Sequence, residues 1–309
     1  MWKTLALLIC VQGKTLLLLP CGACAIFLSP SSLSLILTVC VAGGVDAPER
    51  AWPWMVSLHN PTCNFCGGSL ISTEWEASIR VYLGKLTQRE TNKKEVMINV
   101  QKIYTHHLYN ATTRDNDIAL LHLSSPVRPN DYISPVCLVA QNSDFPPSTP
   151  SWIIGWGKIA DEENVPYPGT LQEAKVFVVD KNQCQNQLIK LLKKQNMLTT
   201  HAHLQITNNM ICAGVPGGGV DAHCGDSGGP IMSQHCSKCV QFGITSWGIG
   251  CGRPDMSGVY TSVSQYQQWI TDTIKKHPSQ DLPQFVTLSL PLINTQHILI
   301  YSHNTLLLV

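Results

Sequence analysis

The chain has 309 residues and a nearly balanced charge, with 21 basic and 20 acidic side chains. This length allows one large domain or two medium ones, and the lack of a basic excess argues against a nucleic-acid-binding protein. Thirteen cysteines are more than a reducing compartment favours, so a secreted or extracellular protein is predicted. Their odd number leaves at least one thiol without a partner in the same chain.

Residues 1–40 form an apolar leader. It begins MWKTLALLIC, and no charged residue occurs between Thr15 and Val45. A lysine followed by an apolar run is typical of a cleaved secretory signal. An uncleaved anchor that tethers the protein to a membrane is the second interpretation, and a leader joined in error is the third. The glycosylation sequon NAT at Asn110 fits a location outside the cytoplasm.

Short apolar runs separated by turn residues fill residues 41–277. They include WMVSLHN, IRVYLG, DIALLHL, SWIIGWG and QFGITSWG, and such runs are typical of strands. Without long helical segments between them, they predict an antiparallel all-β domain. Residues 186–198 have helical spacing inside a long loop, and 264–277 are predicted to form a closing helix. Residues 278–309 are apolar but interrupted by polar side chains, and they are predicted to be an unstructured tail.

The segment HCGDSGGP, residues 223–230, places Ser227 among glycines. Together with DNDIALLHL, WIIGWG, MICAG and SWGIGCGRPDMSGVYTSV, it resembles the trypsin-like serine endopeptidases over residues 41–277. It is similar in particular to their secreted or membrane-tethered members of the tryptase and prostasin kind. The resemblance implies two antiparallel six-stranded β-barrels with a C-terminal helix, an active site in the cleft between them, and no cofactor or metal ion.

The resemblance assigns a role to each residue of the implied active site. Ser227 is the nucleophile, and Asp117 is the carboxylate that orients the histidine base. The N–H groups of Gly225 and Ser227 form the oxyanion hole, which stabilises the charge on the attacked carbonyl. Ser246 supports Asp117.

A specificity pocket is implied beside the nucleophile. Asp221 takes the place of its floor, and Gly248 and Gly258 match its two walls. Ser246 and Trp247 are the other residues implied in substrate binding. A carboxylate at the floor selects Arg or Lys, because an apolar side chain would leave that buried charge unpaired. Proteins or peptides cut after Arg or Lys, and protease inhibitors, are therefore the predicted partners.

Two disulfides follow from the same resemblance. Cys184 and Cys212 would bridge the long loop 185–211. Cys224 and Cys251 would brace the pocket, with Cys224 one residue later than the family's cysteine.

The family's histidine is missing from its expected place. In relatives a Thr-Ala-Ala-His-Cys stretch soon follows the CGGSLIS strand, whereas here CGGSLISTEWEASIRVYLG passes directly from Trp75 to Ala77. Cys66, the partner of the cysteine in that stretch, loses its partner. The first barrel is therefore predicted to be incomplete.

The activation segment also departs from the family pattern. Relatives are cut after a basic residue that precedes Ile-Val-Gly-Gly, and the new amine pairs with the aspartate before the nucleophile. Here VAGG begins at Val41, the predicted partner of Asp226, but residue 40 is cysteine and no Lys or Arg occurs between residues 15 and 49. A zymogen cleavage site is therefore lacking.

Two hypotheses account for these losses. In the first, the gene encodes an active secreted peptidase, and this sequence lacks one internal segment and carries a wrong leader. In the second, the chain is an inactive pseudo-peptidase that binds basic side chains at Asp221 without cutting. The loss of whole blocks among otherwise intact motifs favours the first hypothesis.

Overall fold

A computed structural model describes residues 6–9, 43–59, 64–70, 76–157, 165–219, 226–235, 238–249, 253–276, 282–288, 299–302 and 305–308. The strands in these ranges are β1 (Ala6–Ile9), β2 (Val45–Asp46), β3 (Met55–His59), β4 (Asn64–Leu70), β5 (Glu76–Leu83), β6 (Val96–Thr105), β7 (Ala119–His122), β8 (Cys137–Val139), β9 (Pro150–Gly155), β10 (Gln172–Val179), β11 (Met210–Gly214), β12 (Pro230–His235), β13 (Lys238–Trp247), β14 (Gly258–Ser262), β15 (Phe285–Val286), β16 (Leu299–Ser302) and β17 (Thr305–Leu308). The helices are α1 (Lys181–Lys194) and α2 (Gln267–Lys275), the second entered through a 3-10 turn at Val263–Tyr266.

The first barrel is a closed ring of strands in the order β1, β4, β3, β5, β6 and β7. All neighbouring strands pair antiparallel. Apolar side chains from alternate strand positions fill its interior, among them Val56, Leu58, Val81 and Leu121, all fully buried. Alternation of this kind directs one face of each strand inward, so these strands can surround a single core.

Five strands of this barrel come from the predicted domain, and the sixth comes from the leader. The strand described next after β4 is β5, which pairs with β3 and β6 rather than with the other edge of β4. The domain therefore supplies five of the six barrel positions. β1 occupies the sixth, between β4 and β7, so the first barrel is closed and the prediction of an incomplete barrel is wrong.

The second barrel is a ring of antiparallel strands in the order β12, β9, β10, β11, β14 and β13, which pairs with β12 again. Beyond the ring, β2 pairs with β10, and β8 pairs in parallel with β13. The core contains Phe242 and Tyr260, and α2 contributes Ile270 and Ile274. The predicted all-β fold of two six-stranded barrels with a C-terminal helix is confirmed.

The helical spacing at 186–198 belongs to α1, which begins earlier than the pattern indicated. Asp180 caps its N-terminus by accepting a hydrogen bond from the Gln183 backbone, and basic residues occupy its last turn, where they suit the helix dipole. The disulfide between Cys184 and Cys212 ties this helix to β11. Closing a loop of 28 residues stabilises the fold by about 3–4 kcal/mol in the chain-entropy model.

Part of the tail has a defined structure, in contrast to the predicted unstructured extension. β15 pairs in parallel with β8, and the Ala140 N–H donates to the Val286 carbonyl at 2.8 Å. Leu288 is buried, and its N–H donates to Ser143 Oγ at 3.0 Å. The apolar tail residues thus cover the open edge of β8, which satisfies backbone groups that would otherwise face solvent.

Within the described residues, no helix is both long enough and apolar enough to span a membrane.

Replacing Leu288 by alanine should lower the free energy of unfolding by about 2–3 kcal/mol, because the truncated side chain leaves a cavity. Leu282 is the matched control, since 46% of it is exposed against 7% of Leu288. Its replacement by alanine should change the stability by less than about 0.5 kcal/mol. Urea denaturation measures both, and equal losses would contradict docking of the tail.

Candidate active site

Ser227 lies in a tight turn just before β12 and is almost completely buried. The Gly67 N–H on β4 donates to the Ser227 carbonyl at 3.1 Å, and the Gly228 N–H donates to the Thr245 carbonyl on β13 at 2.9 Å. Gly228 has φ of 85°, a conformation that favours glycine. The turn is therefore held by one strand of each barrel.

Asp117 lies two residues before β7 and is fully buried. Ser246 Oγ donates to Asp117 Oδ2 at 2.7 Å, and Thr261 Oγ1 donates to the Asp117 carbonyl at 2.7 Å. A carboxylate in such a place is stable only when hydrogen-bond donors compensate for lost water. Ser246 directly follows Thr245, which holds the Ser227 turn. Asp117 is thus bound by Ser246, and Gly228 of the serine turn by the adjacent Thr245.

The predicted pocket walls lie where β13 ends and β14 begins. Trp247, the last residue of β13, is buried and pairs with Val259. Gly248 follows it in the chain, and Gly258 is the first residue of β14. Gly258 also pairs with Ala213 on β11. The predicted floor, Asp221, and the predicted oxyanion donor Gly225 lie outside the described residues.

The carboxylate of Asp226 is buried against two glycines of the WIIGWG segment. Its Oδ1 accepts a hydrogen bond from the Gly157 N–H at 2.7 Å. A Cβ atom on Gly155 would collide with the same oxygen, so Gly155 has no room for a side chain. Val41, the predicted partner of Asp226, lies outside the described residues.

The structure describes some of the predicted cysteine and glycosylation positions. Cys184 and Cys212 form a disulfide, whereas Cys224 and Cys251 lie outside the described residues. Asn110 is exposed, and its Oδ1 accepts a hydrogen bond from the Thr112 N–H at 2.9 Å. Within the described part of the chain, no group of His, Cys, Asp and Glu side chains is arranged to hold a metal ion.

His106 is brought close to Asp117 by a hydrogen bond between main-chain groups. Its N–H donates to the Ile118 carbonyl at 3.0 Å. The ring, however, packs edge-on against Tyr266 and Trp269, and burial, followed by the neighbouring His107, lowers its pKa. These contacts fix the ring beside α2.

Sequence reasoning missed a serine–histidine pair in the first barrel. Ser57 Oγ lies 2.9 Å from His59 Nε2, and Gln88 Nε2 donates to Ser57 Oγ at 2.8 Å. Burial, assisted by the charge of Lys85, lowers the pKa of His59 to about 4. Ser57 is fully buried, so no substrate can reach its hydroxyl. The only signal in the sequence was the alternation within MVSLH, which places both side chains on one face of β3.

The two antiparallel barrels are joined at the buried hydrogen bond from Ser246 to Asp117, beside the turn that carries Ser227. This arrangement defines a serine hydrolase of the two-barrel class. Residues 41–270 match the family model described as Trypsin, and the chain belongs to the trypsin family of serine proteases. It is 33% identical over 279 residues to Testisin from Homo sapiens, a match that covers 84% of this chain and 86% of that protein. It is 35% identical over 271 residues to Serine protease 41 from Homo sapiens, with 82% of each chain covered. The resemblance seen in the sequence is confirmed.

Replacing Ser246 by alanine should cost about 1.5–3 kcal/mol of unfolding free energy, because the buried Asp117 loses a hydrogen bond to its charged group. Ser264 is a suitable control, since its buried hydroxyl lies 3.2 Å from that of Ser262 and meets no carboxylate there. Its replacement should cost about 1 kcal/mol or less. Denaturant titration measures both losses, and the interpretation fails if the Ser264 variant loses as much as the Ser246 variant.

Acid should destabilise the protein through His59. Its pKa is 6.5 in the unfolded chain and about 4 when folded, so the unfolded state binds the proton more readily. This contribution to stability is fully present above the unfolded pKa and is lost as the pH falls towards the folded pKa. The His59→Gln variant should therefore lose less unfolding free energy than the wild type between about pH 7 and about pH 5.

The control for this measurement is Gln101→Ala, which removes an exposed, uncharged side chain from β6 of the same barrel. It should keep the wild-type dependence of stability on pH. Urea titrations at the two pH values give the comparison, and an unchanged pH dependence in the His59 variant would contradict the assignment.

Proposed function

We propose that this chain carries the site of a serine endopeptidase that acts on peptide bonds following Arg or Lys. The observation that carries the proposal is the 2.7 Å hydrogen bond from Ser246 to Asp117. It fixes a buried carboxylate to the residue next to Thr245, which holds the Ser227 turn. Membership of the trypsin family supports the same assignment.

Each residue has one task in the proposed reaction. The Ser227 hydroxyl oxygen attacks the carbonyl carbon of the substrate while a base accepts the hydroxyl proton. The N–H groups of Gly225 and Ser227 stabilise the negative charge that develops on the carbonyl oxygen. Asp117 orients the base and stabilises its protonated form.

Substrate choice rests on Asp221. Its carboxylate pairs with the cationic end of an Arg or Lys side chain, which passes between Gly248 and Gly258. The glycines at these two places support this passage, because a residue without a side chain leaves space for a long substrate side chain. Inhibitors that present Arg or Lys would bind in the same place.

The missing base limits the activity of this chain. The stretch that supplies the family's histidine is absent between Trp75 and Ala77. Loss of the base lowers turnover by about 10⁶, and the oxyanion hole and substrate binding retain roughly 10³–10⁴ over water. Residue 40 is cysteine and no Lys or Arg occurs between residues 15 and 49, so a cut after a basic residue directly before Val41, which would free the amine that pairs with Asp226, has no site.

A second candidate function is a pseudo-peptidase that binds basic side chains without cutting. The closed ring of the first barrel favours it, because β1 fills the position that the missing stretch leaves empty. Loss of the histidine segment therefore does not leave this fold with an open wall.

A location outside the cytoplasm is proposed for either function. The disulfide at Cys184 requires an oxidising compartment, and the exposed Asn110 sequon is accessible for glycosylation.

An arginine-type phosphonate, which reacts covalently with an activated serine, tests the proposal together with the reversible ligand benzamidine. This chain should bind benzamidine, and Asp221→Ala should weaken that binding at least about tenfold, because the cation loses its carboxylate partner. Labelling by the phosphonate should be slow and should vanish in Ser227→Ala. Ser264→Ala should change neither readout.

The outcomes separate the candidates. The endopeptidase is supported if labelling is slow and depends on Ser227, and if it becomes fast when a Thr-Ala-Ala-His-Cys stretch is inserted after Trp75. Benzamidine binding without labelling in either form supports the pseudo-peptidase. A folded chain that shows neither binding nor labelling overturns both.

A further inference from the structure

We propose that the first barrel contains a strand-acceptor site, a slot one strand wide between β4 and β7, which binds an extended apolar peptide segment. In this chain the occupant is its own N-terminal segment, β1. The proposal concerns the wall of the barrel rather than the chemistry of Ser227, so it stands whether or not the proposed function is correct.

The pairing of β1 defines the slot on both sides. Leu7 lies level with Leu70 on β4 and with Leu121 on β7. All four residues of β1 have partners on β7, from Ala6 opposite His122 to Ile9 opposite Ala119. Both pairings are antiparallel, so the inserted segment runs against each neighbour as a regular member of the sheet.

The slot cannot close without an inserted strand. Neighbouring strands lie about 4.8 Å apart, so β4 and β7 are separated across the slot by about 10 Å. The following strand of the domain, β5, is held on the opposite side of β3 by its pairing with β3 and β6. It is therefore unavailable to pair with the open edge of β4.

The residues that border the slot require an apolar, hydrogen-bonding occupant. With β1 in place, every residue of β7 is buried, as are Ser69 and Leu70 on β4. In an antiparallel strand, about half of the backbone N–H and C=O groups point to each neighbour. An empty slot would leave those of β7 unpaired in apolar surroundings, which is costly. A strand such as ALLI supplies both the backbone partners and the apolar character.

The chain has enough length to fill the slot from its own N-terminus. Residues 10–42 separate β1 from the start of the domain, and an extended chain of that length reaches about 100 Å. Ile9 lies opposite Ala119, so the chain leaves β1 at the end of the barrel where Asp117 lies. The inserted strand therefore borders the proposed active site.

The acceptor site has a consequence for processing of the leader. A protein cut between β1 and the domain would keep a closed barrel only if the cut segment stayed bound or another strand replaced it. The stretch missing after Trp75 would begin within a few residues of the end of β4 at Leu70, so a chain that contained it could fill the slot with its own residues and release β1.

Hydrogen–deuterium exchange of the full chain tests occupancy of the slot. Leu8→Pro removes a backbone N–H from β1 and disfavours pairing. Amides of β7 should then exchange at least about tenfold faster, because local opening becomes easier, while those of β9 and β10 keep their rates. Leu17→Pro, the same change outside β1, is the matched control and should leave β7 protected.

A synthetic peptide covers the case in which Leu8→Pro does not fold. A peptide with the sequence of residues 4–9, TLALLI, and a lysine tag for solubility is added during refolding of this variant. It should restore the folded yield and the protection of β7, and the same peptide with proline at the Leu8 position should not.

Two results would overturn the proposal. One is wild-type protection of β7 in the Leu8→Pro variant, or an equal loss of protection in Leu17→Pro. The other is equal rescue by both peptides, which would show that strand pairing is not the basis of binding. Neither readout involves Ser227, so failure here leaves the proposed function to be judged by its own test.

Discussion

The burial of the Asp117 carboxylate is the constraint on which the site depends. A carboxylate without water must receive hydrogen bonds from the protein, and Ser246 on β13 supplies one at 2.7 Å. Asp117 belongs to the segment that enters β7 of the first barrel, whereas Ser246 belongs to the second barrel. Satisfying this one charge therefore fixes the two barrels against each other at the candidate active site.

The nucleophile turn is held at the same junction. Gly67 of the first barrel and Thr245 of the second both bind its backbone, and the buried Asp226 carboxylate anchors it to Gly157. The geometry around Ser227 thus depends on contacts from both barrels. A change in the wall of the first barrel, where β4 carries Gly67, acts directly on the turn that presents the serine.

Both ends of the chain complete a sheet that the domain leaves open. β1 fills the gap between β4 and β7, and β15 covers the edge of β8. In each case an apolar segment with ordinary strand-forming residues meets an edge with unpaired backbone groups, and pairing satisfies both. This shared physical reason explains why a segment that looks like a leader closes the first barrel, and why one that looks like a tail extends the sheet of the second.

The sequence by itself determined the family, the two-barrel fold and the identity of Ser227 and Asp117 as candidate site residues, because those depend on local motifs and on the alternation of apolar residues. Only the tertiary structure decided that Ala6–Ile9 closes the first barrel, that residues 282–288 pack on the second, and that Ser57 and His59 form a buried pair. Those outcomes depend on which strand edges remain open and which side chains meet across the fold. Neighbours of this kind are set by contacts between residues far apart in the chain, and no local pattern records them.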